Sequence, residues 1–135
     1  MNVALLVGAL LALSVTLLAS VAGLDRDRAF YPTVTIVIAS YYVLFAVMGG
    51  SQQALAIELS IGAVFLSIAV AGFRSSLWLV VAALAAHGIF DFVRGGAIEN
   101  PGVPVWWPPF CLAYDITAAG CLAALLKSSR VRAKA

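Results

Sequence analysis

Five apolar stretches, each close to the length of a bilayer crossing, account for most of this chain: residues 3–24, 32–49, 53–73, 76–94 and 106–126. A helix that spans the hydrocarbon core needs about 20 mostly apolar residues. No water reaches that core, so a spanning backbone must satisfy its own hydrogen bonds, and a helix does so within one segment. The breaks between the stretches are chemically marked. Asp25-Arg26-Asp27-Arg28 ends the first, Gly49-Gly50-Ser51-Gln52-Gln53 divides the second from the third, and Arg74-Ser75-Ser76 divides the third from the fourth. The longest connection runs from Gly95 to Val105 and is rich in Gly and Pro. Pro32, Pro108 and Pro109 fall at helix starts, where a missing N–H does no harm. The pattern predicts an all-α, polytopic membrane bundle of five transmembrane helices, with residues 1–135 forming one domain.

Composition supports the same reading. The 135 residues are 64% hydrophobic and 10% charged, where soluble domains carry roughly 45–50% and 25%. Mean hydropathy is +1.07. Formal net charge is only +2, with Lys and Arg dispersed except at the C-terminus, which excludes a nucleic-acid-binding patch. Cys111 and Cys121 share one apolar segment and lie about 15 Å apart along a helix, too far for a mutual disulfide. Ser20-Val21-Ala22 resembles a signal-peptide cleavage site, but Met1-Asn2 lacks the Lys or Arg of a signal n-region. The first stretch therefore reads as a retained helix.

Orientation follows from Lys and Arg near the helix ends. Arg26, Arg28, Arg74, Lys127, Arg130, Arg132 and Lys134 fall on one side, and Arg94 alone on the other. Seven against one predicts a cell (inner) membrane protein with its N-terminus outside and its C-terminal tail cytoplasmic. Residues 95–105 then face outside, with Trp106 and Trp107 in an outer aromatic belt. The basic tail also suits contact with anionic lipid.

Helices in lipid associate largely through close packing of small residues. Ala4, Gly8, Ala12, Thr16 and Ser20 recur every four residues and form a narrow, smooth stripe on the first helix. Either another helix of the chain or a second subunit, giving a homo-oligomer, fits that stripe. Ala113, Thr117 and Cys121 repeat the pattern in the fifth helix.

Ionisable residues within spans are costly and mark function by default. Here they are Glu58, His87, Asp91, Arg94 and Asp115, joined by Tyr41 and Tyr42. Counted from the marked helix ends, Tyr42, Glu58, His87 and Asp115 each lie seven residues in, about 10 Å below the outer boundary. His87, Asp91 and Arg94 line one helical stripe, and Cys111 and Asp115 another. This predicts an outward-side pocket lined by helices two to five and roofed by the 95–107 loop. That loop reads either as an interfacial anchor or as a lid over the pocket with Glu99 or Asn100 reaching in, and Tyr41, Tyr42, Arg94, Trp106, Trp107 and Cys111 are the candidate ligand contacts.

Several chemistries suit such a pocket. His87, Asp91, Asp115 and Glu58 offer one imidazole and three carboxylates to a divalent metal such as Zn, Mn or Fe. The same four residues suit acid–base catalysis on a lipid or isoprenoid. Ala82, Ala83, Ala86 and Gly88 leave room beside His87 for a flat macrocycle such as haem. A purely structural network is the non-catalytic alternative, with Asp91 bonded to Arg94, His87 to Asp115 and a tyrosine to Glu58. A transport path fits less well, because the polar layer occupies only the outer half and no span is broken.

His87-x3-Asp91-x2-Arg94, Asn100-Pro101 and Cys111-x3-Asp115 resemble the pattern of a family of small uncharacterised bacterial integral membrane proteins: His-x3-Asp-x2-His, Asn-Pro, and a later Cys followed by Asp. Glu58 and Arg74-Ser75 look similar too, so the resemblance spans roughly residues 50–120. Arg94 stands where that family's second His is expected, which speaks against a multi-histidine metal site. The resemblance implies one compact membrane domain and brings no reaction with it. The expected function is binding of a metal or lipid-like ligand in the His/carboxylate pocket, with lipid modification as the reaction class. The competing expectation is an accessory subunit or helix-packing protein whose polar layer is structural.

Overall fold

Each apolar stretch forms one helix in the computed structural model, which describes residues 1–135. The helices are α1 (Asn2–Ala22), α2 (Phe30–Met48), α3 (Gln52–Arg74), α4 (Trp78–Val93) and α5 (Trp107–Lys127), with a 3-10 turn at Leu24–Arg26 between α1 and α2. The marked breaks end them as chemistry requires. Ser51 caps α3 by accepting the Ala54 N–H at 3.1 Å. Asp27 Oδ1 accepts the Ala29 N–H just before α2. Pro108 and Pro109 sit in the first turn of α5, where N–H groups have no intrahelical partner.

Four helices are long and apolar enough to cross a membrane. The fourth stretch differs from expectation, because α4 has only 16 residues, a length of about 24 Å. Its start is held back by the C-terminal tail. The Leu77 N–H donates to Ala133 O at 2.8 Å, and Ser76 forms an isolated antiparallel bridge with Lys134. Arg28 ties the same corner by donating to the carbonyls of Phe73 and Arg132. Val131 is buried, so the tail is a packed part of the bundle.

Neighbour relations give the helices the order α1, α5, α4, α3, α2 around the bundle. Consecutive α1 and α2 thus lie at the two ends of an arc and meet sparsely, with Tyr31 of α2 beside Thr16 of α1. The small-residue stripe explains where α1 goes. Gly8 lies against the backbone of α5 at Phe110 and Tyr114, where a β-carbon would collide with the Phe110 carbonyl. Ala12 is buried on the same line. Of the two partners that the stripe admits, a helix of the same chain is the one present. The opposite face of α1 exposes Leu6, Leu10, Leu13, Leu17 and Leu18, a surface suited to lipid.

Gly8→Leu should therefore push α1 away from α5, while Leu17→Ala on the exposed face should not. Thermal unfolding in detergent is expected to show a loss of about 1–3 kcal/mol for the first and within about 0.5 kcal/mol of wild type for the second. Wild-type stability in Gly8→Leu would contradict this packing.

Candidate functional site

The buried polar residues are Glu58, His87, Asp91, Arg94 and Asp115, with Thr35 in the second turn of α2 and Asp25 at the basic end. Thr35 satisfies itself by donating to Tyr31 O within α2, and Asp25 accepts from Ser20 Oγ. The other five form two adjoining groups.

The first group joins α4 to α5. His87 Nδ1 lies 2.8 Å from Asp115 Oδ2 and 3.4 Å from Asp91 Oδ2. Cys111 Sγ donates to Asp115 Oδ2 at 3.5 Å and stands 3.9 Å from His87 Nδ1. Helical spacing sets this up twice: His87 and Asp91 are one turn apart on α4, and Cys111 and Asp115 one turn apart on α5. The two helices come close because Gly88 has no side chain, and a β-carbon there would stand 2.9 Å from Asp115 Cβ. Phe65 packs edge-on against the imidazole with ring centroids 4.7 Å apart. Phe65 and Asp115 thus occupy the space beside His87 and Gly88 that a macrocycle would need.

The second group fastens the loop. Arg94 holds both carboxylate oxygens of Glu58, with Nη1 to Oε2 at 2.9 Å and Nη2 to Oε1. Tyr42 lies beneath the guanidinium, 4.2 Å from its ring centroid. Asn100 donates from Nδ2 to Glu58 Oε1 at 3.1 Å and to Tyr42 O at 3.0 Å. The loop backbone then crosses α2 so closely that a β-carbon on Gly102 would collide with Phe45 O.

Several expectations change at this point. Arg94 pairs with Glu58 on α3 and not with Asp91 one turn back, because Asp91 turns towards His87. Glu58 is consequently engaged by a cation and an amide, and leaves the expected metal set. Cys111 takes its place beside His87 and Asp115; the three ligand atoms lie within 4.8 Å of one another. Tyr42 meets the layer through its ring, while its hydroxyl makes no hydrogen bond. Tyr41 packs at a tilt against Trp107, with ring centroids 5.0 Å apart. Asn100 reaches inward and Glu99 is exposed. Trp107 is buried in the bundle and Trp106 is exposed.

A feature that no sequence pattern announced lies alongside. Where α1 and α2 diverge, a cavity of about 710 Å³ opens between them with α5 as its back wall. Leu11, Val15, Val34, Ile38, Tyr41 and Phe110 are among its mostly apolar lining. Cys111 and Asp115 belong to that lining too, so the wall of an apolar groove runs into the first polar group.

The charge balance of the site is uneven. Three carboxylates (Glu58, Asp91, Asp115) face one guanidinium and one imidazole. Asp91 Oδ2 and Asp115 Oδ1 are buried without a hydrogen bond. The Glu58–Arg94–Asn100 group is satisfied internally, whereas the His87–Asp91–Cys111–Asp115 group retains free acceptors. Family models, curated proteins and solved structures were compared with the chain, and none matches.

The Glu58–Arg94 pair should behave as a unit. Glu58→Leu or Arg94→Met leaves a buried charge unanswered and is expected to cost about 3–5 kcal/mol. The double variant should recover at least about half of the summed loss in detergent unfolding. Strict additivity of the two single losses would contradict the pairing.

Proposed function

We propose that this is a five-span integral membrane protein that binds a lipid-like amphiphile in the α1/α2/α5 groove, with the head group at the His87–Cys111–Asp115 cluster. The single observation that carries the reading is that Cys111 and Asp115 belong at once to the apolar groove and to the buried polar group. An alkyl or isoprenoid chain suits the apolar lining, and its polar end then meets Asp115.

Charge and hydrogen bonding narrow the head group. Surplus carboxylates repel a phosphate. Asp115 Oδ1 and Asp91 Oδ2 are free acceptors, so a matching head group must donate, as a hydroxyl or an amine does. A fatty or isoprenoid alcohol meets both requirements. Proton transfer from such a hydroxyl to the His87–Asp115 pair is the step this contact supports, which makes lipid modification the reaction class. A structural role suits the other half of the layer. Glu58, Arg94 and Asn100 satisfy one another and pin the 95–107 loop to α2 and α3, as a packing network does.

The orientation that accompanies this reading puts the tail and the Asp25–Arg28 turn in the cytoplasm of an inner-membrane protein, and the 95–107 loop outside. Support comes from Arg26, Arg28, Arg74, Arg132 and Lys134, which surround one concavity at a single end of the bundle, while Arg94 is engaged by Glu58 near the loop.

Trp107 lines the groove and reports on its occupant. In protein carrying Trp78→Phe and Trp106→Phe, a bromine-bearing single-chain alcohol should quench Trp107 fluorescence saturably, with competition from the unbrominated chain. Val34→Phe, which narrows the groove, should weaken that binding at least about tenfold, a loss of about 1.4 kcal/mol. Quenching that never saturates and is equal in both proteins would mean ordinary surrounding lipid, and would overturn the reading.

A further inference from the structure

The same cluster has a donor set that a head group alone does not explain. Two helices bring an imidazole nitrogen, a sulfur and an Asp115 oxygen within 4.8 Å of one another. Asp91 Oδ2 lies 3.4 Å from the imidazole nitrogen, and all four residues are nine-tenths or more buried. The distances among the atoms suit tetrahedral coordination. Zn–N and Zn–O bonds of about 2.0–2.2 Å and a Zn–S bond of about 2.3 Å put the edges of a tetrahedron at roughly 3.3–3.6 Å. Here Sγ to Oδ2 is 3.5 Å and Sγ to Nδ1 is 3.9 Å. Only Nδ1 to Oδ2, a hydrogen bond of 2.8 Å, is short of an edge, and it must open by roughly half an ångström.

We propose that His87 Nδ1, Cys111 Sγ and an oxygen of Asp115, with Asp91 as fourth donor, form a site for a thiophilic divalent transition metal of the zinc type. The inference goes beyond the amphiphile reading: it leaves the apolar groove as described, but a bound metal takes the acceptors that a donating head group would otherwise use, so head group and metal are alternatives at this cluster. Its second support is the pair of stranded oxygens. Asp91 Oδ2 and Asp115 Oδ1 are buried and lack hydrogen-bond partners, and Asp91 Oδ2 is directed at His87 Nδ1. An unpaired buried acceptor costs about 1–3 kcal/mol, and a cation removes that cost for carboxylates while answering their surplus charge.

The ligand elements choose the metal. Sulfur and imidazole favour zinc or cobalt over magnesium or calcium, which prefer oxygen alone. The proton balance is defined. On binding, the Cys111 thiol gives up its proton to solvent as the metal–sulfur bond forms. The His87 proton moves to Nε2, leaving the Nδ1 lone pair for the metal. A divalent ion with one thiolate and the Asp91 and Asp115 carboxylates carries one net negative charge, in place of the two that the carboxylates carry alone, and no electron is transferred. Glu58, held by Arg94, takes no part.

Cobalt(II) is the probe, because a cobalt–thiolate bond gives a charge-transfer absorption that carboxylate or imidazole ligation alone does not. Titrated into the full chain in detergent, cobalt should produce that band at one equivalent, and zinc should bleach it. Cys121→Ser should leave the band unchanged. Cys111→Ser should abolish it, and Asp91→Asn should weaken cobalt binding at least about tenfold. The wild-type titration decides the matter even if a substituted chain fails to fold. No stoichiometric binding, binding without the thiolate band, or a band that follows Cys121 would each overturn the proposal. None of those results bears on the saturable quenching of Trp107, so the two readings fail separately.

Discussion

A carboxylate surrounded by apolar side chains is stable only if its charge is answered close by, and much of this bundle is arranged around that need. Moving an isolated carboxylate from water into a medium of protein-like low dielectric costs on the order of 20 kcal/mol by Born arithmetic. Glu58, Asp91 and Asp115 are all about 1% exposed or less. The Arg94 guanidinium answers Glu58 from the far end of α4, and this brings α3, α4 and the 95–107 loop together. The His87 imidazole answers Asp115 and approaches Asp91, which fixes how α4 lies on α5. Gly88 is the steric condition for that approach, since a β-carbon there would press on Asp115. Polar pairing thus orients helices that apolar packing alone would leave free to rotate.

The arc of helices has one further consequence. Because α1 is drawn to α5 through its small-residue stripe, it is not available to cover α2. The space left between α1 and α2 is walled by Leu, Val and Phe, with the Asp115 side of the polar cluster at its back. The satisfied half of the layer holds the loop down. Cys111 and Asp115 of the unsatisfied half lie at the groove wall. A site whose polar end lacks hydrogen-bond partners and whose long axis is apolar fits an amphiphile or a metal centre better than it fits a closed packing network.

Much of this was readable from residues alone, for definite reasons. A fixed rise of 1.5 Å per residue turns marked helix ends into depths, which singled out Tyr42, Glu58, His87 and Asp115, and each of the four is buried. One-turn spacing likewise put His87 with Asp91 and Cys111 with Asp115. Partner choice was not readable. Whether Arg94 meets Asp91 or Glu58 depends on which helix stands opposite, and an arginine is long enough for either. The position of α1 was also hidden, since a stripe such as Gly8 and Ala12 packs equally well on any smooth backbone. The groove is a gap between helices, and a gap has no residues of its own to leave a signature. The shortening of α4 came from a tail that docks at Leu77 through a backbone bond, which no side-chain pattern encodes.

Native mass spectrometry of the chain released gently from membranes, wild type beside Asp115→Asn, addresses the central claim most directly, because Asp115 belongs to both the groove and the cluster. The account predicts a wild-type mass carrying a stoichiometric metal or single-chain amphiphile, and a folded Asp115→Asn chain that has lost it. A bare polypeptide in both would contradict the account and leave the buried layer as a helix-packing network alone.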